Sequence, residues 1–161
     1  MAKVEPTDGW GPLRQRMDPP AKSRMQRRAR GRQQDRAHLD LVRMLPCLIT
    51  GQLGGVDAAH IRFSDAEHGK VNPGAAKPDD RWTVPLSHAL HTDATEAQHR
   101  HGEEAWWQRK GISPLRVADN LYSLSKTLRD LKQPEDFIIR AMTAVIRDAR
   151  NAAGLAHRSG S

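Results

Sequence analysis

Six of the chain's eight histidines fall between His60 and His101, in a stretch that also carries the adjacent carboxylates Asp79 and Asp80. Imidazole is the commonest metal ligand among side chains, and its unperturbed pKa lies near neutrality, so it serves equally as ligand or proton acceptor. Carboxylates beside it orient the ring or share an ion. The stretch reads AAHIRF, then GKVNPGAAKPDDRWTVPLSHALH, then EAQHRHGEEAWW. Such a cluster next to a strand-like run is suited to metal-assisted hydrolysis.

Hydrophobic periodicity indicates what must position these groups. Residues 56–63 read as a strand, entered through a turn marked by Gly51, Gly54 and Gly55. Residues 64–79 form a loop rich in glycine, proline and charge, and 81–86 read as a second strand with Trp82, Val84 and Leu86 on one face. Before the strands, His38, Leu39, Leu41, Val42 and Leu45 predict a short helix that Pro46 ends. After them, Ser113 is the expected N-cap of a helix with Pro114 at its first position, carrying a stripe from Ala118 to Leu131. Pro134 opens another helix, with Ile138, Met142, Val145, Ile146 and Ala149 inward and Arg140, Arg147 and Arg150 as a solvated face. The fold class expected is α+β: a ββα-metal unit wrapped by additional helices.

At 161 residues the chain has room for one domain with appendages. The net charge of +7 is unevenly placed: residues 1–36 hold ten Lys or Arg against four Asp or Glu, so the rest is nearly neutral. Segment 1–34 reads as a basic, disordered arm whose Arg24, Arg27, Arg28, Arg30 and Arg32 are candidates for binding nucleic-acid phosphates. The ββα-metal unit is then 35–112, with the C-terminal helices of 113–161 packed on it. The single cysteine, Cys47, rules out an internal disulfide. No apolar run approaches the ~20 residues of a membrane span, so no membrane partner is expected and the location expected is cytoplasmic.

The run HLDLVRMLPCLITG, then AAHIRF, GK, KPDDRWTVPLS and QH, with Glu103-x-x-Trp106 after them, resembles phage and prophage HNH-type endonucleases. The nearest group is the recombination-enhancement, RecA-dependent nuclease type, over about His38 to Leu121. The resemblance implies metal-dependent hydrolysis of DNA phosphodiester bonds in phage or prophage DNA processing or recombination. It makes His60 the general base and puts Asp80, with Asp79 as its alternate, where it orients that base or ligates the ion. Arg62, two residues after the base, would clamp the phosphate. One divalent ion (Mg, Mn or Zn) falls to His91 and His99, with His88 in reserve, and Glu103 matches a family position that would orient His99. DNA is the implied partner, together with a RecA-type recombinase or another phage protein; in a phage-encoded chain the compartment is the host cytoplasm.

Two departures accompany the resemblance. On one unbroken helix His91 and His99 would stand ~12 Å apart, too far to share an ion, so the helix must break between them. The run Asp93-Ala-Thr-Glu96 looks like a capping box that would start a helix at Asp93, leaving His91 on the preceding turn. Related nucleases also hold this unit with paired cysteines, whereas here Thr50 follows Cys47 and Ser87 stands in another cysteine position. No structural cysteine zinc site is therefore expected, and Trp82, Trp106 and Trp107 must supply packing instead. The alternative functions are a nucleic-acid-binding module with weak or lost cleavage, and an accessory protein of a phage recombination or packaging machine.

The arm yields a direct expectation. Removing residues 1–34 should leave the fold intact but weaken DNA binding and flatten its salt dependence. Each phosphate that the arm neutralises should account for roughly 0.9 log unit of affinity per log unit of salt. Fluorescence titrations at two salt concentrations, full length against truncated, check this; equal slopes would make the arm a mere tail.

Overall fold

An antiparallel hairpin lies at the centre of the chain. In the computed structural model, which describes residues 31–71, 77–93 and 102–155, β1 (Val56–His60) pairs with β2 (Thr83–Ser87) from Val56↔Ser87 to His60↔Thr83. The Ile61 N–H donates to Trp82 O at 2.9 Å, carrying the pairing one residue further. The first strand is thus shorter than the 56–63 expected, because the chain turns away after Ile61, and Arg62 lies outside it. The second strand starts two residues later than expected and includes Ser87.

All five residues of β2 are buried. Pro85 sits at its middle without harm, because its carbonyl faces away from β1 and accepts the Leu48 N–H at 2.8 Å. The N–H that proline lacks would lie on that same outer side, so no rung of the β1–β2 ladder is lost.

Helix α1 (Arg36–Arg43) precedes the hairpin, capped by Asp35, which accepts the His38 N–H at 3.0 Å. After the hairpin come a π-helical turn (Ala89–Asp93), α2 (Glu103–Lys110), α3 (Pro114–Asp130) and α4 (Glu135–Ala152). Ser113 and Pro114 take the predicted cap and first-turn positions, although the Ser113 hydroxyl makes no capping bond. Helices α1 and α3 pack on the hairpin and α4 packs on α3. The architecture is mixed, with helices around a small two-stranded antiparallel sheet, as the α+β expectation requires.

The core joins Val42 and Leu45 to Ala59, Ile61, Val84 and Leu86 of the hairpin and to Leu121, Met142 and Ile146 of the last two helices. Trp106 and Trp107 are each 1% exposed and meet edge to face at 4.8 Å, so the packing role expected of them holds. Arg150 departs from the solvated face expected of it: it is 8% exposed and donates to Ile49 O and, at 3.1 Å, to Leu155 O. It lies one step further along the Ile138, Met142, Ile146 spacing, on the inward side of α4. No helix among the described residues is long and apolar enough to cross a membrane.

The compact body begins at Arg32, not at residue 35, and runs on without a division at 112/113. The Asp80 N–H donates to Gln33 O at 3.0 Å and the Gln33 N–H to Asp79 Oδ1 at 2.7 Å, so residues 32–34 belong to the folded unit. A truncation that tests the arm alone must therefore end at Gly31. Arg24, Arg27, Arg28 and Arg30 lie outside the described residues.

His38 is the buried histidine of this core. Its Nδ1 lies 2.7 Å from Ser125 Oγ, and Ser125 gives its own proton to Tyr122 O at 3.1 Å. The serine oxygen must therefore accept, which puts a proton on Nδ1. Burial, aided by the Arg129 charge and opposed by Asp35 and Asp80, pushes its pKa from 6.5 down to about 4. Because the unfolded ring takes a proton at the higher pH, this contribution is complete above pH 6.5 and is lost as pH falls towards 4. The loss over that interval should reach about 3 kcal/mol. Urea unfolding at pH 7 and 4.5 measures it, and His38→Gln should flatten the slope.

Candidate active site

The end of β1 brings His60 against Asp80, which β2's approach places opposite. His60 Nε2 lies 2.9 Å from Asp80 Oδ1, with side-chain exposures of 14% and 4%. Asp80 Oδ1 also receives the Arg32 guanidinium, and Asp80 Oδ2 receives the Asp35 N–H at 2.9 Å. Burial opposes the charged carboxylate, but the bonds from His60 and Asp35 and the Arg32 charge outweigh it and hold the pKa below 3.8. Asp80 is therefore ionised and bound on both oxygens, with Oδ1 shared between His60 and Arg32 and Oδ2 held by the Asp35 N–H.

An ionised carboxylate can only accept, so His60 Nε2 carries the proton they share. The Arg32 NH2 contact with the same nitrogen, at 3.4 Å, is then proximity without a hydrogen bond. Nδ1 is left with the lone pair and has no partner among the described residues. Burial, opposed by Asp80 and aided by the charges of Lys77 and Arg32, lowers the His60 pKa below 6.5. The neutral, proton-accepting ring thus predominates at neutral pH.

The sequence leaves Asp80 three roles: orienting the base, ligating the ion, or pairing in a turn with Lys77 or Arg81. Arg81 instead pairs with Asp119 at 2.5 Å and stacks over Trp82 at 4.5 Å. Asp79 serves Gln33 and is not part of the pair with His60. Arg32, assigned from composition to phosphate binding, is drawn into the site: its Nε donates to Pro78 O at 2.8 Å. Asp35, bonded by both terminal nitrogens of Arg129 at 2.9 and 2.6 Å, anchors this strap to α3.

A second cluster forms at the start of β1. His88 Nδ1 and His91 Nδ1 lie 2.8 and 3.0 Å from the same oxygen, Asp57 Oδ2. His91 lies within the π-helical turn Ala89–Asp93, and the helix expected to start at Asp93 would run through residues 94–101, outside the described residues. His99 lies outside the described residues, so its pairing with His91 or Glu103 does too. Two imidazoles and a carboxylate are donors that suit borderline divalent ions. Asp57 escapes a sequence reading because a polar residue on a half-buried strand carries no mark; its register opposite Leu86, just before the histidine-bearing turn, is the signal that would have found it.

Arg62, expected on the strand face of His60, is exposed in the following loop, and its N–H donates to Glu103 Oε2 at 2.8 Å. Glu103 thereby ties α2 to the end of the hairpin. Cys47 Sγ accepts the Ser87 N–H at 3.2 Å and the Thr50 N–H at 3.5 Å, so those three positions do come together. Among the described residues, the trio with donor atoms all within 4.8 Å is Asp65, Glu67 and His68, in the exposed part of the loop and outside the expected ligand set. A cleft of about 300 Å³ lined by Phe63, Glu104, Trp107 and Leu115 includes neither His60 nor Asp80. No family model matches the chain, and no curated protein or solved structure matches it.

Removing the Asp80 carboxylate should unsettle the fold as well as the site. Asp80→Ala leaves Arg32, the His60 N–H and the Asp35 N–H without their acceptor, and loss of one partner of a buried ion pair costs about 3 kcal/mol. Chemical denaturation at pH 7 checks this, with exposed Asp40→Ala as a control expected to stay within about 0.5 kcal/mol of the parent.

Proposed function

We propose that the chain is a metal-dependent, HNH-type endonuclease that hydrolyses DNA phosphodiester bonds in phage or prophage DNA processing or recombination. The observation that carries this reading is the His60–Asp80 pair, with Nε2–H held by a buried carboxylate at 2.9 Å and Nδ1 without a partner among the described residues. Nδ1 takes a proton from water as that water's oxygen attacks phosphorus, and the imidazolium formed is stabilised by the Asp80 charge. The bond from phosphorus to the leaving oxygen breaks, that oxygen takes a proton from solvent water, and the imidazolium returns its proton to solvent. Asp57, His88 and His91 supply donors of the right type for a divalent ion, with His99 as the further ligand implied by resemblance. Such an ion, when bound, supplies charge neutralisation at the phosphate and the leaving oxygen.

A second reading, a nucleic-acid-binding module that does not cut, draws on the Asp57 cluster. His88 and His91 both hydrogen-bond Asp57 through Nδ1, which also works as a purely structural brace between β1 and the turn after β2. Supercoiled plasmid incubated with the protein and Mg²⁺, Mn²⁺, Zn²⁺ or chelator separates the two. Metal-dependent nicking is expected, and His60→Ala should lower its rate by ~10²–10⁴ while leaving DNA affinity nearly unchanged. Cutting by His60→Ala within a few-fold of the parent would remove His60 as the base.

A further inference from the structure

We propose that Arg32 is a positioning residue of the His60 site: bonded to Asp80 Oδ1 and Pro78 O, it holds the carboxylate that in turn orients the ring. The inference rests on the reading of His60 as the base, but its evidence is independent of any DNA contact. The first residue of the compact body, Arg32 reaches across 46 to 48 positions of sequence to the loop that precedes β2. Its side chain is 26% exposed, and two of its nitrogens are spent on protein oxygens.

A planar guanidinium suits this task because Nε and NH2 can address two different acceptors at once. Pro78 O fixes the plane, and the remaining arm meets Asp80 on the oxygen that also serves His60. With Asp35 N–H on the other oxygen, the carboxylate has no freedom to rotate away. A lysine could satisfy one of these acceptors but not set the plane.

The charge works in the same direction. The charged groups facing His60 are Asp80, which favours its protonation, and Arg32 and Lys77, which oppose it. Arg32 thus offsets part of the Asp80 charge and keeps the ring in its proton-accepting form, while leaving the hydrogen bond that orients it.

Ring titration by NMR in the full-length chain tests this, with the His60 signals identified by their loss in His60→Gln. In Arg32→Ala the His60 midpoint should rise, because a charge that opposes protonation of the ring is gone, and Arg32→Lys should undo part of that rise. Below the midpoint such a shift lowers the neutral, proton-accepting fraction of the ring. Arg36→Ala, which removes a neighbouring exposed arginine, should leave the midpoint in place. Arg32→Gln, neutral but still able to hydrogen-bond, repeats the measurement if Arg32→Ala does not fold. An unchanged His60 midpoint in a folded neutral variant overturns the proposal. Plasmid nicking separates this from the functional reading: a midpoint that moves in a chain that never cuts DNA upholds the role of Arg32 and sinks the nuclease. Cutting whose acid limb stays fixed in Arg32→Ala does the reverse.

Discussion

A carboxylate 3% exposed must find a donor for each oxygen, and Asp80 meets that demand with groups from separate parts of the chain. His60 comes from the end of β1, Arg32 and the Asp35 N–H from the segment before α1. Its backbone is equally engaged, donating to Gln33 O at 3.0 Å and accepting from Thr83 Oγ1 at 2.9 Å. The helix cap follows from the same arrangement, because Asp35 offers its N–H to Asp80 and its carboxylate to His38 and Arg129. One buried charge thus aligns the strap, the first helix and the end of the hairpin.

Two short strands would be marginal alone in water. Here β2 is buried on both faces, and its outer edge is closed where Leu48 donates to Pro85 O. Cys47 reinforces that edge by accepting the Ser87 N–H, and Arg150 braces the turn after it by donating to Ile49 O. A Cβ at Gly51, whose φ is +75°, would stand 3.0 Å from the Arg150 guanidinium carbon, so the turn and the arginine fit only with glycine there. The segments around the hairpin therefore do more than cover it; they finish its hydrogen bonding.

Elements with strong periodicity are legible in the sequence: the helix around Leu41, the two strands and the two C-terminal helices all appear near their expected places. So is the meeting of His60 with Asp80, which the motif order implies and the hairpin register produces. Arg32 is hidden because an arginine run has the composition of a solvated arm, and nothing local distinguishes the one arginine that finds a buried partner. Arg150 is hidden because its charge outweighs, in a sequence reading, its position on the Ile138, Met142, Ile146 stripe. Asp57 is invisible because its partners are set by strand register and by a turn some thirty residues later.

The contacts around Asp80 also order events in time. They join residues separated by 20 positions at His60, by 48 at Arg32 and, through Asp35, by 94 at Arg129. Each closes a large loop of chain before it returns any interaction energy, so such contacts form late in folding. A nascent chain could pair its two strands long before the residues of α3 emerge to anchor Asp35. The His60 site, held through Asp35 and Arg129, then matures only after the hairpin and once α3 has emerged.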